Sequence, residues 1–220
     1  FIEHEGSSIH PKRQTSPHAH SIYPFGEGKF ACAADLGTDS VFIYRLDAKR
    51  GALEPASEVK LKPGSGPRHL DFHPDGKHVY VLGEMTRDVH VFDMGPDLTQ
   101  WQPVQIVSTL PEDAPAQGST AEIRVHPNGK FLYASNRGHD SIAVFSINES
   151  GRLRRVENEP IQGKTPRNFN LDPEGKFLLA AGQNSDSVAV FRIDEKTGEL
   201  AFTGESITLG NPVCIQFLRK

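Results

Sequence analysis

Eight residues before the glycines Gly28, Gly76, Gly129 and Gly175 stand His20, Arg68, Ala121 and Arg167, and eight after them stand Leu36, Glu84, Arg137 and Gln183. A histidine and a carboxylate can exchange protons, and guanidinium groups are donors suited to anions. The set could therefore move a proton beside a bound anion. A purely structural reading competes with it. Arg68 and Glu84 could form an ion pair closing one hairpin, His20 could bond a backbone carbonyl, and Arg137 and Arg167 could cap neighbouring loops.

The elements that must position these residues come from an internal repeat. Three stretches, HLDFHPDGKHVYVLGEMTRDVHVFDM from His69, EIRVHPNGKFLYASNRGHDSIAVFSI from Glu122 and NFNLDPEGKFLLAAGQNSDSVAVFRI from Asn168, follow one template, and a looser copy starts at His20. The glycines recur at roughly 46–53 residues, the length of a β-propeller blade. In each copy an apolar strand runs into a turn such as Pro74-Asp75-Gly76 or Pro127-Asn128-Gly129, a hairpin signal because glycine tolerates positive φ. A second strand (78–82, 131–135, 177–181), a third alternating one (41–44, 89–92, 142–145, 188–191) and a more polar outer one (53–59, 101–107, 153–159, 200–207) follow. No amphipathic helix is evident. The fold expected is all-β, a propeller of four-stranded antiparallel blades, with repeats at about 17–66, 67–119, 120–165 and 166–211 and a final strand within 212–220, centred on 213–217.

The repeat also serves as an internal alignment. Positions symmetric about a hairpin turn lie at the same end of the blade, so both columns converge on one mouth of the channel. Ile22, Leu70, Ile123 and Phe169 stay apolar in every copy, whereas the two columns vary among His, Arg, Glu and Gln, as a ligand site would require. The adjacent column (Ser21, His69, Glu122, Asn168) is polar throughout and is expected to face the channel or bond to backbone. His18, two residues from His20 and on the same strand face, is a second candidate. His73 and His126 are expected in turns at the opposite end.

Four blades make an unusually small ring, and the chain opens at Phe1-Ile2-Glu3 with no initiator Met. We therefore expect the C-terminal part of a propeller of about seven blades, with missing N-terminal blades or a second chain covering the exposed blade faces. The formal charge of −4 without a basic run argues against nucleic acid, and nothing is long and apolar enough to span a membrane. Cys32 and Cys214, both in apolar strand contexts, read as free buried thiols and favour a reducing, cytoplasmic setting. There is no CxxC or dense His/Cys cluster, and no metal is expected.

The motifs PHAHS (17–21), GPRHLDFHPDGKHVYVLGE (66–84), AEIRVHPNGKFLYASNRGHDSIAVF (121–145) and TPRNFNLDPEGKFLLAAGQNSDSVAVF (165–191) resemble the lactonase family of seven-bladed propellers. That family includes 6-phosphogluconolactonases of the cycloisomerase-2 type and a carboxy-muconate lactonizing enzyme. WD40 propellers fit poorly, since the Trp-Asp signature is absent and Trp101 falls in an outer strand. The resemblance implies a histidine, two arginines and a glutamate at the mouth, mapping onto His20, Arg68, Arg137 and Glu84. It implies a small anionic lactone as partner, 6-phospho-D-glucono-1,5-lactone first, opened without metal or organic cofactor. Glu84 or His20 would be the base, Arg68 and Arg137 the oxyanion or anion donors, and Arg167 and Gln183 would help hold the anionic end. Lactonization of a muconate and a non-catalytic binding propeller are the alternatives.

Overall fold

The computed structural model describes residues 2–115 and 117–218. Its sixteen strands form four antiparallel sheets, each paired strictly in chain order. The first sheet holds β1 (Ala19–Phe25), β2 (Phe30–Asp35), β3 (Ser40–Asp47) and β4 (Ala52–Lys60). The second holds β5 (Pro67–Phe72), β6 (His78–Gly83), β7 (Asp88–Asp93) and β8 (Gln102–Ser108). The third holds β9 (Ser119–Val125), β10 (Phe131–Arg137), β11 (Ser141–Ile147) and β12 (Leu153–Pro160), and the fourth β13 (Pro166–Leu171), β14 (Phe177–Gly182), β15 (Ser187–Ile193) and β16 (Leu200–Thr208). A short 3-10 turn at Gln183–Ser185 is the one helical element among the described residues. The first strands β1, β5, β9 and β13 pack on one another in that order and form the inner wall.

The middle strands are apolar because both of their faces are covered. In β6, Val79 and Val81 enter a core shared with Cys32, Val41 and Ile43 of the first blade. Tyr80 and Leu82, pointing the other way, enter a core shared with Ile123 and Phe145 of the third. A third core joins Tyr133 and Val144 to Phe169 and Phe191. Blade therefore holds blade mainly through apolar surface removed from water.

Polar latches fix the spacing at the turn end. His73 and His126 directly follow their inner strands, as expected of turn residues, but each also reaches the next blade. Their Nδ1 atoms accept from the main-chain N–H groups of Asp75 and Asn128. Their Nε2–H groups donate to the carbonyls of Gly129 and Gly175, at 2.8 Å in both cases. The hydroxyls of Tyr80 and Tyr133 likewise donate to Gly151 and Gly198 of the following blade. Gly175 has φ +71°, and a Cβ there would lie 2.5 Å from His126 Nε2, whereas one at Gly76 would meet nothing within 4 Å. Gly175→Ala should thus combine about 1–2 kcal/mol of left-handed backbone strain with loss of a hydrogen bond of about 1 kcal/mol, and Gly76→Ala only the first part. Paired urea titrations check this; equal losses would show that the histidine latch contributes nothing.

Three expectations need correction. Residues 213–217 form no strand: among the described residues the tail runs beside β13 through two side-chain-mediated bonds, Ile215 N–H to Asn168 Oδ1 and Asn170 Nδ2–H to Ile215 O. Residues 219 and 220 lie outside the described ones. Without a ladder to orient it Cys214 is exposed, and only Cys32 is a buried free thiol. Trp101 precedes β8 rather than belonging to it, and it is buried against the rings of Phe25, Phe72 and Phe92.

Candidate functional site

The inner hairpins are not simply symmetric. In all four, the ladder slips by one residue at the end away from the turn: between Ala19 and Ser21, within 67–70, at Ala134/Asn136 opposite 121–122, and between Pro166 and Asn168. His20, Arg68, Ala121 and Arg167 all fall in these bulges. A bulge bends the strand and re-aims the extra side chain, and this common irregularity gathers the column at one mouth.

There Glu84, 4% exposed, is the hub. Its Oε2 lies 2.9 Å from Arg68 Nε and 3.2 Å from Arg137 Nη2, and its Oε1 lies 3.0 Å from Arg13 Nη2. Arg68 also donates from Nη1 to the carbonyl of Ala121, and Arg137 from Nη2 to that of Thr120 at 2.7 Å. Burial, with Arg137 and Arg167 nearby, pulls the Arg68 guanidinium down to about 10, still cationic at neutral pH. Burial lowers Arg137 as well. Burial would raise the Glu84 carboxyl, but Arg137, Arg68 and Arg13 outweigh it and leave the group below its ordinary value.

His20 approaches this cluster without bonding to it. Its ring lies 5.4 Å from that of His69, edge-on. Burial, Arg68 and His69 lower its imidazole to about 4, so it is neutral at neutral pH. Three atoms at this mouth, His20 Nδ1, Arg68 Nε and Arg137 Nε, are buried with no hydrogen-bond partner among the described residues. Arg68 Nε is close to Glu84, yet its N–H is not aligned on the carboxylate. Buried polar atoms left unpaired cost about 1–3 kcal/mol each, and their clustering makes this mouth the candidate site.

The other candidates are more peripheral. Arg167 lies within electrostatic reach of Arg68 and Arg137 and makes no ion pair with Glu84. Gln183 sits in the 3-10 turn; its main-chain N–H donates to Thr165, and its side chain makes no hydrogen bond to the cluster among the described residues. His18 is exposed, its ring 6.1 Å from that of His20 and its N–H bound to Asp35. The neighbouring polar column is a hydrogen-bonded hoop. Ser21 donates to the carbonyl of Arg68, while Glu122 accepts from His69 Nδ1 at 2.9 Å and from Asn168, and pairs with Arg124.

Arg13 was not in the predicted set, because it precedes the first repeat and has no counterpart in the other copies. Its segment is held on the first blade. His4 bridges Asp35 and Tyr44, Ser8 bonds Asp39, and the fully buried Gln14 donates to the carbonyl of Leu36 at 2.8 Å. Among the described residues one potential metal cluster, His73, Asp75 and His78, lies at the opposite, turn end. Both nitrogens of His73 are already used in the latch, so it reads as structural.

The description "Lactonase, 7-bladed beta-propeller" matches residues 1–217. The chain is 36% identical to a 6-phosphogluconolactonase of Bacillus subtilis, aligned over 99% of this chain and 62% of the relative. It is 38% identical to a 6-phosphogluconolactonase of Formosa agariphila over 78% of this chain and 50% of the relative. Its backbone superposes on the periplasmic gluconolactonase of Pseudomonas aeruginosa with a TM-score of 0.92, at 34% identity, covering 99% of this chain and 61% of that one. It thus spans between half and about three fifths of the length of these longer relatives. A repeat-built mouth, blade-on-blade cores and a match across nearly every residue lead to one conclusion: the chain belongs to the seven-bladed β-propeller lactonase family.

Proposed function

We propose that the protein hydrolyses an anionic sugar lactone, 6-phospho-D-glucono-1,5-lactone in the first place, at the mouth formed by His20, Arg68, Glu84 and Arg137. The observation that carries this reading is the set of unpartnered buried atoms there. Two are cationic donors and the third belongs to a neutral imidazole, the complement of an acyl centre that gains negative charge while water loses a proton. The named relatives support the same chemistry.

In this reading His20 accepts a proton from water as the water oxygen bonds to the lactone carbonyl carbon. A group of pKa about 4 is too weak a base to ionise water outright, so the transfer accompanies C–O bond formation. Arg68 and Arg137 hold the oxyanion. When it collapses, the ring C–O bond breaks and the His20 proton passes to the departing ring oxygen, giving the open hydroxy acid. Glu84 is the counter-ion that fixes the arginines and not the base, since both its oxygens face guanidinium groups. Arg167 would help hold the anionic end; Gln183 and His18 would touch substrate only by moving.

The whole protein is read as a seven-bladed ring, with further blades covering both outer faces. Leu70, Ile123 and Phe169 are fully buried against a preceding blade, while their counterpart Ile22 is 57% exposed, as is Ile207 at 58% on the last strand. A cytoplasmic setting is supported by the two unpaired cysteines; no helix among the described residues is long and apolar enough to cross a membrane.

The test is lactone opening by the intact protein, followed as acid release with 6-phosphogluconolactone, gluconolactone and a muconolactone. The phosphorylated substrate should have the highest kcat/KM. Preference for the muconolactone would transfer the reading to a lactonizing cycloisomerase, and inertness toward all three would leave a binding propeller.

A further inference from the structure

The mouth carries more positive charge than its own residues balance. One buried carboxylate, Glu84, faces three guanidinium groups, and Arg167 adds a fourth charge nearby, while Glu122, also within electrostatic reach of Arg68, is already paired with Arg124. The three partners of Glu84 are not equivalent. Arg68 and Arg137 are mostly buried, with side chains 4% and 16% exposed, and each is also tied to a main-chain carbonyl of β9. Arg13 has a side chain 42% exposed. It stands on an irregular segment outside the blade ladders.

Its backbone is nevertheless fixed. Gln14, next to it, is fully buried, donates from its amide to Leu36 O, and accepts from His10 N–H. A little farther on, the main chain of residues 16–18 lies so close to Gly37 that a Cβ there would come within 2.0 Å of Ser16 O. The result is a firm anchor bearing a long, solvent-facing side chain at the edge of a charge-rich site. Guanidinium groups take phosphate by two parallel hydrogen bonds, and the partly exposed Arg13 can turn from Glu84 to a phosphate while Arg68 and Arg137 still neutralise that carboxylate through Oε2.

On this geometry, and resting on the anionic-lactone reading above, we propose that Arg13 binds the phosphate of the substrate and sets its preference for phosphorylated over unphosphorylated lactone. Arg68 and Arg137, pinned deeper, serve the reacting carbonyl, and the phosphate is at the opposite end of the sugar from that carbonyl. The N-terminal segment is then part of the binding site and not merely a tether on the first blade.

Two measurements on the intact protein test this. Calorimetric titration with inorganic phosphate compares wild type, Arg13→Gln and, as a control for local charge, Lys12→Gln, which alters an exposed neighbour. Arg13→Gln should weaken phosphate about ten-fold or more, and Lys12→Gln less than two-fold. In the kinetic arm, Arg13→Gln should lower the ratio of kcat/KM for phosphorylated over unphosphorylated gluconolactone about ten-fold or more, chiefly through KM. Arg13→Lys should recover only part of it. An unchanged phosphate affinity, an equal effect of Lys12→Gln, or an unchanged preference ratio would overturn the inference. If wild type opens neither lactone, the proposed activity fails and the phosphate titration alone still decides the role of Arg13.

Discussion

Replacing His20 with glutamine should lower kcat/KM on an anionic lactone by about 10²–10⁴, the usual contribution of a positioned proton-transfer group. Glutamine keeps much of the volume and a polar end but cannot carry a proton between water and the ring oxygen. The change should leave thermal stability close to wild type, because His20 Nδ1 has no hydrogen-bond partner to lose among the described residues. The pH profile gives a second readout. Burial, Arg68 and His69 hold the imidazole at about 4, so it stays unprotonated and competent through the neutral range. Activity should decline only as pH falls through that value, well below the ordinary histidine range near 6.5. Steady-state rates from pH 3.5 to 8 measure this. A drop of only a few-fold in His20→Gln would remove the base role from His20, and the His69–Glu122 pair of the neighbouring hoop would become the next group to examine.

Much of this could be read from the chain because it repeats. The turn glycines mark the hairpins, and the hairpins put Arg68, Glu84 and Arg137 at one end of the blades. Strand patterns of both-face burial were equally legible: Val79 to Leu82 is an unbroken apolar run because blades pack on both sides. What could not be read falls into two physical classes. The first is register. A bulge changes no residue type, so the slip that re-aims His20, Arg68 and Arg167 within the mouth is silent in the sequence. The second is anything outside the template. Arg13 and the tail at 213–217 have no sister copies, so nothing distinguished Arg13 from other surface basic residues, and nothing marked the tail as lacking a ladder. The Ser21, His69, Glu122, Asn168 column lies between these cases. Its polarity was evident, but its hydrogen-bonded hoop depends on side-chain reach across blades.

Glu84→Gln should act on stability before it acts on chemistry. The substitution is nearly isosteric and removes one negative charge facing three guanidinium groups, two of them largely buried. Removing one partner of a buried ion pair costs about 3–5 kcal/mol, and at about 2–4 °C per kcal/mol for a chain of this size the melting temperature should fall by on the order of 10 °C. The sign of the pH effect follows from the lowered carboxyl. A group whose folded value lies below its unfolded one adds stability that is complete above the ordinary glutamate range and disappears as pH falls through the folded value. Glu84→Gln should abolish that part of the acid dependence. Anions should restore what it removes: phosphate at tens of millimolar binds the folded state alone, and stabilises the variant by mass action more than it stabilises wild type. Differential scanning calorimetry with and without phosphate, beside lactone turnover, separates the two roles. A variant that melts with wild type but turns over 10²–10⁴ more slowly would make Glu84 the base and reduce His20 to a spectator.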